Sequence, residues 1–83
     1  MPYTYILKSI KQDNWHYVGS CNDLDERFKQ HRKGSVRSTK SKRPLKIIYK
    51  EFYKTITEAR KRKLFLKSPK GFLEKKKITN KPE

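Results

Sequence analysis

Residues 17–31 read YVGSCNDLDERFKQH, and this stretch leaves the chain little choice of local fold. Tyr17-Val18-Gly19 has the character of a short strand ending in a glycine turn. Aromatic and β-branched residues suit the pleated backbone, and glycine supplies the bend. Asp23-Leu24-Asp25-Glu26 then carries a helix start. Asp23 can accept from the first free N–H groups, and Glu26, three residues on, can bond back to the cap. Arg27 and His31 are four apart and share one helical face. A phenol at a strand end and a guanidinium one turn into the next helix therefore converge, in a place suited to a phosphate.

With 83 residues the chain is one domain at most, and a domain that small has a modest core. Hydrophobic residues are 33%, so the core must lean on its aromatics: five Tyr, four Phe and Trp15. The 23 Lys and Arg against 8 Asp and Glu give a formal charge of +15. Solubility needs far less, so the surplus implies a polyanionic partner, nucleic acid first. No apolar run is long enough for a bilayer, no signal-peptide core follows Met1, and the cations lie on no clear amphipathic helix. A membrane partner is therefore not expected. The lone Cys21 allows no internal disulfide, and cytoplasmic residence is expected. Cys21 reads as a small packing residue, and no Cys/His cluster supports a zinc site.

The remaining elements follow from pattern. Tyr3-Thr4-Tyr5-Ile6-Leu7 reads as a strand covered on both faces, because it lacks clean alternation. Residues 11–14 read as a turn, and Trp15-His16-Tyr17-Val18 returns as an antiparallel partner that brings Tyr17 near Tyr5. A first helix spans about residues 24–33, with Leu24 and Phe28 as its stripe and Gly34 as its stop. Lys46-Ile47-Ile48-Tyr49-Lys50-Glu51-Phe52 is a third strand, again with burial on both sides. Thr55 and Glu58 form a second capping box. On the helix that follows, Ile56, Ala59, Lys63 and Leu66 share one face, and Leu64 and Phe65 widen its apolar side. Ser68-Pro69 ends that helix and starts another, docked by Phe72 and Leu73. The lysine-rich chain from Glu74 frays, so the domain is expected at residues 1–76 with a basic tail at 77–83. The order is β-β-α-β-α-α, an α/β (α+β) class, with no internal repeat.

Residues 32–46 hold seven cations and no carboxylate: Arg32, Lys33, Arg37, Lys40, Lys42, Arg43 and Lys46. Ser35, Ser38, Thr39 and Ser41 lie between them. The plain reading is a solvated loop. The functional reading is a phosphate-contacting arm in which cations and hydroxyls bond backbone oxygens.

Together these residues resemble the GIY-YIG nuclease superfamily, and within it the small single-domain bacterial members. Thr4-Tyr5-Ile6-Leu7 stands at the first signature and Tyr17-Val18-Gly19 at the second, one conservative change from YIG. Ser20, Asn22, Asp23 and Leu24 continue the pattern, and Arg27, His31 and Arg43-Pro44 before Ile47-Ile48-Tyr49 match in turn. The resemblance implies a three-stranded antiparallel sheet flanked by helices. It implies an endonuclease that hydrolyses nucleic-acid phosphodiesters, DNA above all, with one divalent metal such as Mg²⁺. Tyr17 would take the proton of the attacking water, directly or through a relay, and Arg27 would stabilise charge on the phosphate. Tyr5 would position Tyr17 or the water, and His31 would hold a phosphate oxygen or shuttle a proton. Each has a structural alternative: strand aromatics packing across a hairpin, an Arg27–Asp23 pair, a surface histidine.

The family places its metal-binding glutamate in a pattern like EAxxxExxLK on the second long helix. Residues 58–67, EARKRKLFLK, fit that pattern with Lys63 at the glutamate. A protonated ammonium cannot ligate Mg²⁺, and Glu58, five residues earlier, faces another way. Glu51 and Glu74 serve only if the fold brings them in. Three readings follow: an active nuclease with a carboxylate from elsewhere, an enzyme in which Lys63 contacts phosphate in the metal's stead, or a nucleic-acid-binding module that has lost catalysis.

Overall fold

The computed structural model describes residues 1–12 and 14–80. Strands β1 (Tyr3–Ser9) and β2 (His16–Cys21) are followed by α1 (Leu24–Lys33) and a short helix α2 (Arg37–Lys40). Then come β3 (Leu45–Phe52), α3 (Ile56–Lys67), a 3₁₀ turn (Pro69–Gly71) and α4 (Phe72–Thr79). The strands form one antiparallel sheet in the order β2-β1-β3. The expected α+β order holds; α2 is an addition, one helical turn inside the stretch read as a loop. The turn expected at residues 11–14 includes Asp13, which lies outside the described residues.

β1 is central and covered on both faces, which is why its sequence does not alternate. Tyr5 and Leu7 pack with Cys21, Leu24 and Leu45 on one face, joined by Phe28 of α1. Ile6 packs with Val18 and Leu66 on the other, joined by Ile78 of α4. Full burial of Ile6 and Leu7 contributes roughly 1.5–3 kcal/mol each. Thr4 is buried at the second face, and its hydroxyl donates to Ala59 O of α3 at 2.7 Å. β3 is only half-buried, short of the two-sided burial expected, because it forms an edge of the sheet. Its register against β1 slips between Ile6 and Leu7. That bulge sends Ile47 to the Leu7 cluster and Ile48 and Tyr49 to the Ile6 cluster.

The helix caps and stops form as read, but among the described residues neither Glu26 nor Glu58 bonds back to the cap N–H. Asp23 Oδ1 accepts from the Glu26 N–H at 3.1 Å, and Gly34 ends α1 at φ 85°. The Thr55 hydroxyl accepts from the Glu58 N–H at 3.2 Å. Ser68 caps the 3₁₀ turn by accepting from the Gly71 N–H.

Four local expectations are corrected. Gly19 is not a turn but lies within β2. Leu64 and Phe65 do not widen a buried face, and Phe72 and Leu73 do not dock α4; all four are exposed. α4 is held instead by Ile78 and by Glu74, whose carboxylate accepts from Arg62 of α3 at 2.6 Å. Held in this way, the chain does not fray from Glu74 but stays helical to Thr79, across the expected boundary at 76/77. Residues 81–83 of the expected tail lie outside the described residues.

Candidate active site

β1 and β2 place Tyr5 opposite Gly19 and Leu7 opposite Tyr17, so Tyr5 and Tyr17 emerge on one face beneath α1. Glycine is needed at position 19 by close approach. A Cβ there would sit 2.5 Å from Tyr5 Oη and 3.0 Å from a Tyr17 ring carbon. From α1, His31 descends between the two phenols, with ring centroids 5.7 Å from Tyr5 and 5.4 Å from Tyr17. Arg27, one turn earlier, places its guanidinium beside both phenols, Tyr5 more strongly than Tyr17. It also donates to Gln30 Oε1 at 3.0 Å. The four residues read as catalytic therefore meet at one place. Tyr5 and His31 are buried; Tyr17 and Arg27 are half-buried and reach solvent.

The buried pair has defined protonation. Burial pushes Tyr5 up to about 12, against the pull of Arg27. Burial, followed by the charge of Arg27, holds His31 down at about 4. Near neutral pH Tyr5 is thus a phenol and His31 a neutral ring with one N–H. Arg27 can only donate, so it draws on the Tyr5 oxygen lone pairs, and the Tyr5 proton goes to His31 Nε2 at 2.8 Å. His31 then carries its proton on Nδ1 and donates to Thr39 Oγ1 at 2.8 Å. Thr39 in turn donates to Val36 O at 3.4 Å. The tautomer is assigned from this network. The result is one directed line of hydrogen bonds from the sheet to α2.

Three expectations change here. His31 has no exposed surface and both ring nitrogens are engaged, so it does not hold a phosphate oxygen. Thr39, read as a phosphate-contacting hydroxyl, is fully buried and serves His31. The pairing of Arg27 with Asp23 gives way to helix capping by Asp23.

α3 brings a residue that the sequence did not single out. Lys67 Nζ lies 5.2 Å from the Tyr17 ring centroid, within cation–π range. Its signal was its place four residues after Lys63, on the same helical face. Lys63 itself is partly buried, one turn back. The cations of residues 32–46 divide. Arg32, Lys33, Arg37 and Lys40 are exposed. Arg43 spends its guanidinium on Lys40 O and Arg32 O, at 3.0 and 3.3 Å. Lys42 donates to Gln12 Oε1 at 2.8 Å and lies over Trp15.

The residues around the phenols do not fit the Mg²⁺ ion that the resemblance implies. Arg27 and Lys67 are the charged groups that reach the phenols, and hard divalent cations need carboxylate oxygens. Glu51 sits on β3, the far edge from β2, and Glu74 on α4; both carboxylates are bonded to Arg62. Burial pushes Glu51 up, but the bonds from Arg62, Tyr49 and Tyr53 hold it below the usual range. Among the described residues no three His, Cys, Asp or Glu side chains gather as metal ligands.

A family model described as the GIY-YIG catalytic domain matches residues 1–77. A UPF0213 protein of Clostridium perfringens is 37% identical over 68 residues, which cover 81% of this chain and 71% of that protein. A UPF0213 protein of Staphylococcus aureus is 34% identical over 67 residues, covering 80% and 79%. No solved structure matches the chain. Among the described residues no helix is long and apolar enough to cross a membrane.

Proposed function

We propose that this chain, which belongs to the GIY-YIG catalytic-domain family, grips a DNA phosphodiester between Tyr17 and Arg27 and hydrolyses it. The family is of nuclease type, and its substrate is nucleic acid. The observation that carries the reading is the meeting of two half-buried groups, Tyr17 and Arg27, over a rigid buried base of Tyr5, His31 and Thr39. Arg27 is the donor for a phosphate oxygen, and its charge opposes the negative charge that grows there in the transition state. Tyr17 acts as its phenolate, whose negative charge Lys67 over the ring opposes; Oη then receives the proton of the attacking water and becomes the phenol, and the departing sugar oxygen takes a proton from solvent. Tyr5 cannot be the base, since its own proton is committed to His31; it is a positioning residue. No step is routed through a metal.

One observation favours a second reading, binding without turnover: Glu51 and Glu74 are sequestered by Arg62, while Lys63 falls where the resemblance would put the family's acidic ligand. A nicking assay on supercoiled DNA, with Mg²⁺ and with chelator, separates the two. Hydrolysis by this site predicts nicks that Tyr17→Phe removes at least a hundredfold while DNA affinity stays within about twofold. Nicks that survive Tyr17→Phe would show that another group is the base. Full binding with no nicks in either condition assigns the chain to the second reading. A matched RNA arm tests the choice of DNA.

A further inference from the structure

We propose that the groove between the β1–β2 hairpin and α4 is a second nucleic-acid contact, which takes a single strand as it leaves the Tyr17–Arg27 cradle. The proposal rests on the reading of that cradle as a phosphate site. The groove has a volume of about 270 Å³ and is walled by Asn14 and His16 on the hairpin side and Phe72, Lys75 and Lys76 on the helix side.

Its charge is unbalanced. His16 and Lys8 are cross-strand partners on the face that α4 covers. Burial and then the charges of Lys75 and Lys8 hold His16 below its ordinary range, so both charges acting on it are positive. The ammonium groups of Lys75 and Lys8 that act on His16 draw an anion into the groove. Phe72 begins α4 yet is 59% exposed, since the helix docks through Ile78 instead. An exposed ring beside lysines is the combination that holds single strands: cations follow the phosphates and a base stacks on the ring.

The position of the groove joins it to the cradle. His16 and Tyr17 are consecutive in β2, so their side chains leave opposite faces of the sheet. β2 is an outer strand, and its free edge is the short path from one face to the other. A strand held at Tyr17 and Arg27 passes over that edge into the groove.

The test is fluorescence anisotropy on the full chain, with labelled single-stranded DNA of about 16 and about 4 nucleotides. Lys75→Gln/Lys76→Gln is expected to weaken binding of the longer strand about tenfold and flatten its log–log salt slope by about 1.4, two contacts at ~0.7 each. The shorter strand, able to fill one site only, should lose less than threefold. Phe72→Ala should weaken the longer single strand about tenfold, with little effect on duplex. In parallel, the His16 ring resonances should move on titration with the longer strand. The circular dichroism of each variant confirms its fold. Unchanged affinity and slope in the lysine double variant, with static His16 resonances, overturn the proposal. So does equal displacement of the longer strand from the groove by polyglutamate of matched charge, which would assign the site to acidic peptides. Arg27→Gln separates the two readings. If the cradle is wrong, Arg27→Gln leaves binding intact while the lysine variant still weakens it; if the groove is wrong, the reverse holds.

Discussion

His31 shows how one buried side chain ties chemistry to stability. Neutral in the fold with a value of about 4, it takes up a proton in the unfolded chain near 6.5. Between those values the unfolded state binds more protons, so stability rises with pH across the window and falls as pH drops through it. The loss is on the order of 3 kcal/mol by pH 4. Urea titrations from pH 7 to 4 should show it, and His31→Gln should flatten the profile. Removing its acceptor with Thr39→Val leaves a buried N–H unpaired, at about 1–3 kcal/mol, while Thr39→Ser restores the bond. Ring-nitrogen chemical shifts should report loss of the Nδ1–H hydrogen bond in Thr39→Val alone. Gly19 carries a steric constraint of the same kind. Gly19→Ala drives a methyl into the Tyr5 phenol and should cost about 1–3 kcal/mol in a denaturant melt.

Among the elements, α3 decides which chemistry the site can do. It packs Ala59 and Leu66 into the sheet, and its Lys67, one helical turn after Lys63, meets Tyr17 of β2. Lys63→Glu would place a carboxylate one helical turn from that contact. The expected outcome is Mg²⁺-dependent nicking that appears or rises tenfold or more, about 1.4 kcal/mol of barrier, and is abolished by chelator. A folded variant with no gain would show that residues 58–67 are out of register with the family pattern. α2 illustrates the opposite relation of sequence to element. A stretch rich in cations and hydroxyls reads as open loop, yet Thr39 is drawn inward by His31, and the turn around it becomes helical.

At the scale of the molecule, a charge of +15 on 83 residues sets the terms of any encounter with a polyanion. Arg32, Lys33, Arg37 and Lys40 are exposed, whereas Arg43 is committed to backbone carbonyls. With about 6 phosphates contacted on duplex DNA, log K should fall against log salt with a slope near −5, a loss of about a thousandfold between 50 and 200 mM. A flat response would remove the cationic arm from the interface. Arg43→Gln should change stability more than it changes that slope.

Much of this was written in local sequence. Asp23, Gly34, Thr55 and Ser68-Pro69 mark helix ends, because caps are satisfied within a few residues of chain. The unpatterned run at residues 4–7 announced a central strand, and the spacing of Tyr17, Arg27 and His31 announced a shared site. What the sequence left open depended on contacts between distant residues. Gly19 looked like a bend until the Tyr5 ring lay across it. Thr39 looked like one more surface hydroxyl until His31 reached it from another helix. Phe72 and Leu73 looked like anchors until Ile78 took that role. In each case the pattern states what a residue is able to bury or bond, and only the packed chain decides which partner is close enough to accept it.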